Sequence, residues 1–123
     1  MGVTRRWIAV AVGSTMLPLL AGCTRHSKKE HYYLVATNTD VPYWKTAEAG
    51  FAAAGEASGI PVAPRGPGGL DPQAELNEIK AMVARKPAGI LVSVANADVM
   101  TPAINDAVDA GIPVITIDSD APA

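Results

Sequence analysis

The stretch Gly111-Ile112-Pro113-Val114-Ile115-Thr116-Ile117-Asp118 decides how the rest of the chain is read. A glycine and a proline precede an unbroken, largely β-branched apolar run, which stops at a carboxylate. That order marks a helix end feeding a buried strand. Its first four residue types also occur at Gly59-Ile60-Pro61-Val62, so the same junction is built twice, and each junction needs a helix before it and a strand after it. Working outward, Thr101-Pro102 fits the start of the last helix, and Ile104, Ala107 and Val108 give it an apolar face. Gly89 to Val94 is the strongest strand, and Val114 to Ile117 is the fourth.

The earlier units repeat the alternation. Tyr32 to Thr37 reads as the first strand, and about Tyr43 to Ser58 as a helix with Pro42 in its first turn and Ala47, Phe51 and Ala54 on its inner face. Gly59 takes the left-handed cap position, and Ile60 to Ala63 is a second, weaker strand. After the loop Pro64 to Gly69, Asp71-Pro72 reads as an N-cap and first helical residue, with Leu76, Ile79, Met82 and Val83 buried and Lys86-Pro87 closing the helix. Strands alternating with helices mean βαβ units and a parallel sheet. The apolar runs of the third and fourth strands, without polar alternation, predict cover on both faces. The fold class is α/β: a doubly wound parallel sheet in a three-layer sandwich, with the first strand near the centre. The sequence ends a few residues past the fourth strand, so the expectation is an incomplete lobe with that strand left as an apolar edge.

Ahead of residue 32 lies a different kind of segment. Arg5 and Arg6 precede an apolar run from Trp7 to Leu20, broken by Gly13, Ser14 and Pro18, which is the order of an export signal. The run is shorter than the roughly 20 apolar residues of a membrane-spanning helix, so cleavage is expected. The arginine pair suits either a general or a twin-arginine export route. Leu20-Ala21-Gly22-Cys23 resembles the bacterial lipobox, which implies residues 1–22 as a lipoprotein signal peptide and Cys23 as the acylated first mature residue. Acyl chains contribute about 0.8 kcal/mol per buried CH₂, enough to hold a protein at a membrane surface without spanning it. Residues 23–31 then form a lipidated tether, and residues 32–123 the binding domain.

Composition removes several function classes. The chain carries one cysteine, which excludes an internal disulfide. Without residues 1–22 its basic residues fall from ten to eight against twelve acidic ones, so a nucleic-acid footprint is not expected. Both histidines, His26 and His31, sit in the tether, where they read as spacer residues rather than metal ligands, and no Ser/His/Asp or Cys/His set exists. A dinucleotide-binding enzyme would need G-x-G-x-x-G between the first strand and first helix, where this chain has Asn38 to Pro42. No cofactor and no enzymatic activity are expected.

In an open parallel sheet, ligands bind outside the carboxyl ends of the strands. Four segments lie there: Thr37 to Trp44, Arg65 to Gly69, Ser93 to Asp98 and Asp118 to Asp120. The first combines polar groups with two adjacent aromatics, Tyr43 and Trp44. Neighbours on a helix point about 100° apart, so both are not expected in the core. Sugars need this pairing, because their C–H faces stack on aromatic rings while their hydroxyls seek carboxylates. Asp118, at a strand exit, supplies the carboxylate; a turn-forming role beside Pro122 is the plainer alternative.

Leu34-Val35-Ala36-Thr37 with Pro42-Tyr43-Trp44, then Gly89-Ile90-Leu91-Val92-Ser93, then residues 111–118 together resemble the ribose- and galactose-type periplasmic binding proteins of ABC sugar importers. The resemblance implies a lobe that closes against a second lobe around a monosaccharide or polyol. By position it makes Tyr43 and Trp44 stacking aromatics, Thr37 a polar contact and Asp118 the sugar-gripping carboxylate. It also implies an ABC permease as partner and a periplasmic or cell-surface location. Val41 stands where such members carry a polar contact, and Ser119 where ribose-binding ones carry an arginine, which points away from ribose. A sensing role in chemotaxis or with a kinase would use the same binding chemistry.

Overall fold

The computed structural model describes residue 27 and residues 29–121. Residues 1–22, expected to be a signal peptide, with Arg5 and Arg6, and also Cys23 and His26, lie outside the described residues. Seven elements follow in the order β1 (Tyr32–Val35), α1 (Pro42–Ser58), β2 (Val62–Arg65), α2 (Pro72–Val83), β3 (Gly89–Val92), α3 (Ala97–Asp109) and β4 (Val114–Thr116). The strands form one parallel sheet in the order β2-β1-β3-β4, with Val35 beside both Arg65 and Val92. Helices cover both faces, so the three-layer, doubly wound reading holds and β1 is internal.

Each face has its own core. Tyr33, Val35, Ile90 and Val92 meet Ile79, Met82, Met100, Ile104 and Ala107 on the α2/α3 side. Leu34 and Ala36 meet Trp44, with Ala47, Phe51, Leu91 and Ile117 around them, on the α1 side. Successive β1 residues point to opposite faces, which is why both layers draw on the same four-residue strand.

The repeated Gly-Ile-Pro-Val junction has a single physical cause. At both sites the glycine is left-handed, with φ of 66° at Gly59 and 79° at Gly111. Gly59 N–H donates to Glu56 O and Ile60 N–H to Gly55 O; Gly111 N–H donates to Val108 O and Ile112 N–H to Ala107 O. This is the Schellman closure of a helix. The following proline cannot extend the helix, and its carbonyl opens the next ladder: Pro61 O accepts from Tyr32 N–H at 3.1 Å and Pro113 O from Ile90 N–H at 2.9 Å.

That closure also corrects one boundary. β2 begins at Val62 rather than Ile60, because the Ile60 amide is spent on ending α1. Two other expectations are corrected. α3 starts at Ala97, not Thr101: Asn96 Oδ1 accepts from Val99 N–H at 3.0 Å, and Pro102 sits inside the helix on its exposed side. The missing Pro102 amide removes a bond only where solvent can reach the freed carbonyl. On α1, Ala54 is exposed and the inner face instead runs through Trp44, Phe51 and Gly55. β3 is covered on both faces as expected, but in β4 Ile115 is 62% exposed, since α1 packs on β2 at the other side of the sheet.

At Gly55 α1 lies tight against the start of β2. A Cβ there would lie 2.5 Å from a Val62 methyl and 2.9 Å from the Ile60 carbonyl. Asp71 caps α2 as expected, its Oδ1 accepting from Gln73 and Ala74 N–H.

The carboxyl edge of the sheet

All four expected ligand contacts stand at the carboxyl edge, and they form one connected chain. The Trp44 indole N–H donates to Thr37 Oγ1 at 3.0 Å. The Trp44 and Tyr43 rings meet edge to face, with centroids 5.0 Å apart. The Tyr43 hydroxyl then donates to Asp118 Oδ1 at 3.0 Å. β3 lies between β1 and β4, so this last contact bridges over the end of the middle strand.

The two aromatics divide their labour. Tyr43 is 59% exposed, whereas Trp44 is 4% exposed and belongs to the α1 core with Leu34 and Ala36. The expectation that both rings stand clear of the core holds for Tyr43 alone. A helix entering over the sheet edge must bury one side of its first turn, and Trp44 lies on that side. Its one polar atom is satisfied by Thr37, as buried indoles require. Asp118 has φ of 65°, a left-handed backbone that turns its side chain back over the edge toward Tyr43. The carboxylate beside it, first by hydrogen bonding and then by its charge, pushes the Tyr43 phenol above its ordinary range.

Sequence reasoning missed the residues that hold the edge loops. Ser119 Oγ accepts from Val94 N–H at 2.8 Å, donates to Val94 O at 2.9 Å and lies 2.9 Å from Ser93 Oγ. With Ser93 as donor, the Ser119 hydroxyl uses its one proton and both lone pairs. It locks the β3 exit to the β4 exit. On the other flank, Thr39 donates to Pro67 O through both its amide and its hydroxyl. Gly66, at φ of 141°, passes directly against the Ala36 carbonyl. Nothing in the spacing of isolated serines or glycines signals such cross-loop contacts.

The opposite end of the sheet is chemically different. A shallow depression of about 190 Å³ between α1 and β2, walled by Tyr32, Phe51 and Val62, is almost wholly apolar. It lacks the convergent polar groups that orient a small ligand, so the carboxyl edge is the candidate site.

An open parallel sheet wound on both faces, with aromatic and polar side chains gathered at its carboxyl edge, is the architecture of the type I periplasmic binding proteins. The chain belongs to the periplasmic binding protein domain family, which it matches over residues 32–123. Among solved structures it is similar to the sugar-binding protein of a sugar ABC transporter from Bacillus halodurans, at 36% identity and a TM-score of 0.71, over 76% of this chain and 32% of that one. It is also similar to the arabinose-binding protein AraP of Geobacillus stearothermophilus, at 38% identity and 0.70, over 75% and 32%. A third is the glucose-galactose binding protein GanP of the same organism, at 34% identity and 0.70, over 76% and 33%. The chain thus spans about a third of the length of these solved relatives. No curated protein matches it. The family is one of periplasmic sugar-binding transport proteins rather than enzymes, and membership implies an exported, periplasmic location.

Proposed function

We propose that this chain is the first lobe of the substrate-binding lipoprotein of an ABC-type sugar importer, anchored to a membrane surface through Cys23 and delivering a monosaccharide or related polyol to a permease. Tyr43 offers the exposed ring face for the sugar C–H surface, and Asp118 the acceptor for its hydroxyls. Thr37 and Trp44 hold the first turn of α1 in place beneath them, with the Thr37 hydroxyl proton still available to ligand. The observation that carries this reading is the Tyr43–Asp118 hydrogen bond, which brings an aromatic face and a carboxylate together from residues 75 positions apart at the carboxyl edge. The sugars for which the relatives are named, arabinose and glucose or galactose, support the substrate class.

The test is amide NMR of the purified chain against pentoses, hexoses, deoxysugars and inositols, a method that reads weak as well as tight binding. Shifts confined to residues 37–44, 93–96 and 118–120 are expected for at least one class. A panel that moves none of these amides would end the sugar assignment.

A further inference from the structure

Glu75 is the one carboxylate of the described residues that is fully buried, at 0% exposure in the first turns of α2. Its Oε2 accepts from the Ala95 N–H at 3.0 Å, while Oε1 is buried with no hydrogen-bond partner. Ala95 lies in the segment between β3 and α3, directly after Val94, whose amide and carbonyl are held by Ser119. The ligand-facing exit of β3 is therefore fastened from two sides: by a hydroxyl from the β4 exit and by a carboxyl from α2.

Among the described residues no cation is ion-paired with Glu75, and the Arg65 guanidinium on this side of the sheet lies instead 6.0 Å from the centroid of the Tyr33 ring. α2 packs on α3 and β1. The ionisable side chains of α3 are Asp98, Asp106 and Asp109, all acidic and all exposed. β1 contributes only Tyr32, whose hydroxyl donates to Glu30, and Tyr33. On α2 itself Lys80 is exposed, Glu78 is acidic, and the Asp71 carboxylate is occupied by the helix cap. A carboxylate with one empty oxygen and no cation is far costlier to bury than the neutral acid.

We propose that Glu75 is a positioning residue that works as a neutral acid, holding residues 93–96 on the ligand-facing edge, and that its ionisation loosens this segment. An ionised Oε1 needs water, and water reaches it only if the Ala95 segment separates from α2. The carboxyl's acidity agrees: burial pushes it up to about 7, the Ala95 hydrogen bond pulling partly the other way. The folded chain therefore binds this proton more tightly than the unfolded chain, and its stability falls as the pH rises from about 4.5 through about 7. The consequence for ligand rests on the sugar-binding reading; the titration does not.

The experiment is an NMR titration of the full chain carrying ¹³C-labelled glutamate, following the Glu75 carboxyl together with the Ala95 and Val94 amides. The expected result is a Glu75 midpoint near about 7, with both amides shifting and exchanging faster along the same curve. Glu75→Gln, a permanently neutral analogue, should keep both amides protected on either side of that midpoint. Isothermal calorimetry with L-arabinose and D-galactose adds the ligand arm: a several-fold loss of affinity across the midpoint in the parent chain, and none in Glu75→Gln. A Glu75 midpoint near 4.5, or amides that ignore its titration, would overturn the proposal from the parent chain alone, even if the variant fails to fold. If neither sugar binds while the amides still follow Glu75, these two sugars are removed as ligands, the panel above decides the sugar reading, and the positioning role stands.

Discussion

The Tyr43 hydroxyl donates to Asp118 Oδ1 at 3.0 Å, so the start of α1 and the exit of β4 share a proton across the end of β3. Both residues are exposed, which makes the bond a feature of the site more than of the core. Asp118→Asn should bring the Tyr43 phenol back down toward its ordinary value, read by ultraviolet titration. On the proposed sugar-binding reading it should also weaken that binding about tenfold or more, the equivalent of one charge-assisted hydrogen bond. Tyr43→Phe should retain stacking and lose less. A phenol midpoint unchanged by Asp118→Asn would show that the two side chains do not meet in solution.

Ser119→Ala removes the single hydroxyl that satisfies Val94 N–H, Val94 O and the buried Ser93 hydroxyl. Leaving buried polar groups unpaired costs about 1–3 kcal/mol. Urea denaturation should show a loss of that size, with faster hydrogen exchange at the Val94 amide. Equal stability and unchanged exchange would mean that the β3 and β4 exits are fastened by something other than this serine.

Gly66→Ala and Gly69→Ala make a matched pair. A Cβ on Gly66 runs into the Ala36 carbonyl, backbone that cannot swing aside, and the residue sits at φ of 141°. At Gly69 a Cβ meets nothing within 4 Å. Strained backbone of this kind costs on the order of 1–3 kcal/mol, so Gly66→Ala should lower the unfolding midpoint clearly while Gly69→Ala leaves it nearly unchanged. Similar midpoints for the two would refute the close approach of the 65–69 loop to β1.

On the proposed lipoprotein reading, Cys23→Ser should leave an unprocessed, unacylated precursor while export continues, because cleavage and acylation would both act at Cys23. Intact mass spectrometry of the membrane fraction decides it. A parent protein that begins elsewhere than Cys23, or lacks the acyl mass, removes the lipid anchor from the account.

Much of the fold was legible because it rests on short-range chemistry. The twofold Gly-Ile-Pro-Val junction encodes a helix closure, a helix stop and a ladder start within four residues, so both helix ends and the parallel alternation follow from local rules. Asp71-Pro72 announced the start of α2 for the same reason. At α3 local rules mislead, because Thr101-Pro102 copies the start signal that Asn96 gives, and the Asn96–Val99 hydrogen bond separates the two. The positions of Thr37, Tyr43 and Asp118 at the carboxyl edge also followed from strand order alone. What tertiary structure decided was which side chain faces where: in the first turn of α1 Trp44 is buried in the core, while Tyr43 stays exposed and reaches Asp118. It likewise decided that Ser119 and Glu75 converge on the segment after β3 from a different strand and a different helix. Those contacts join residues about 20 or more positions apart, and local propensity carries no record of a partner that folding brings from so far along the chain.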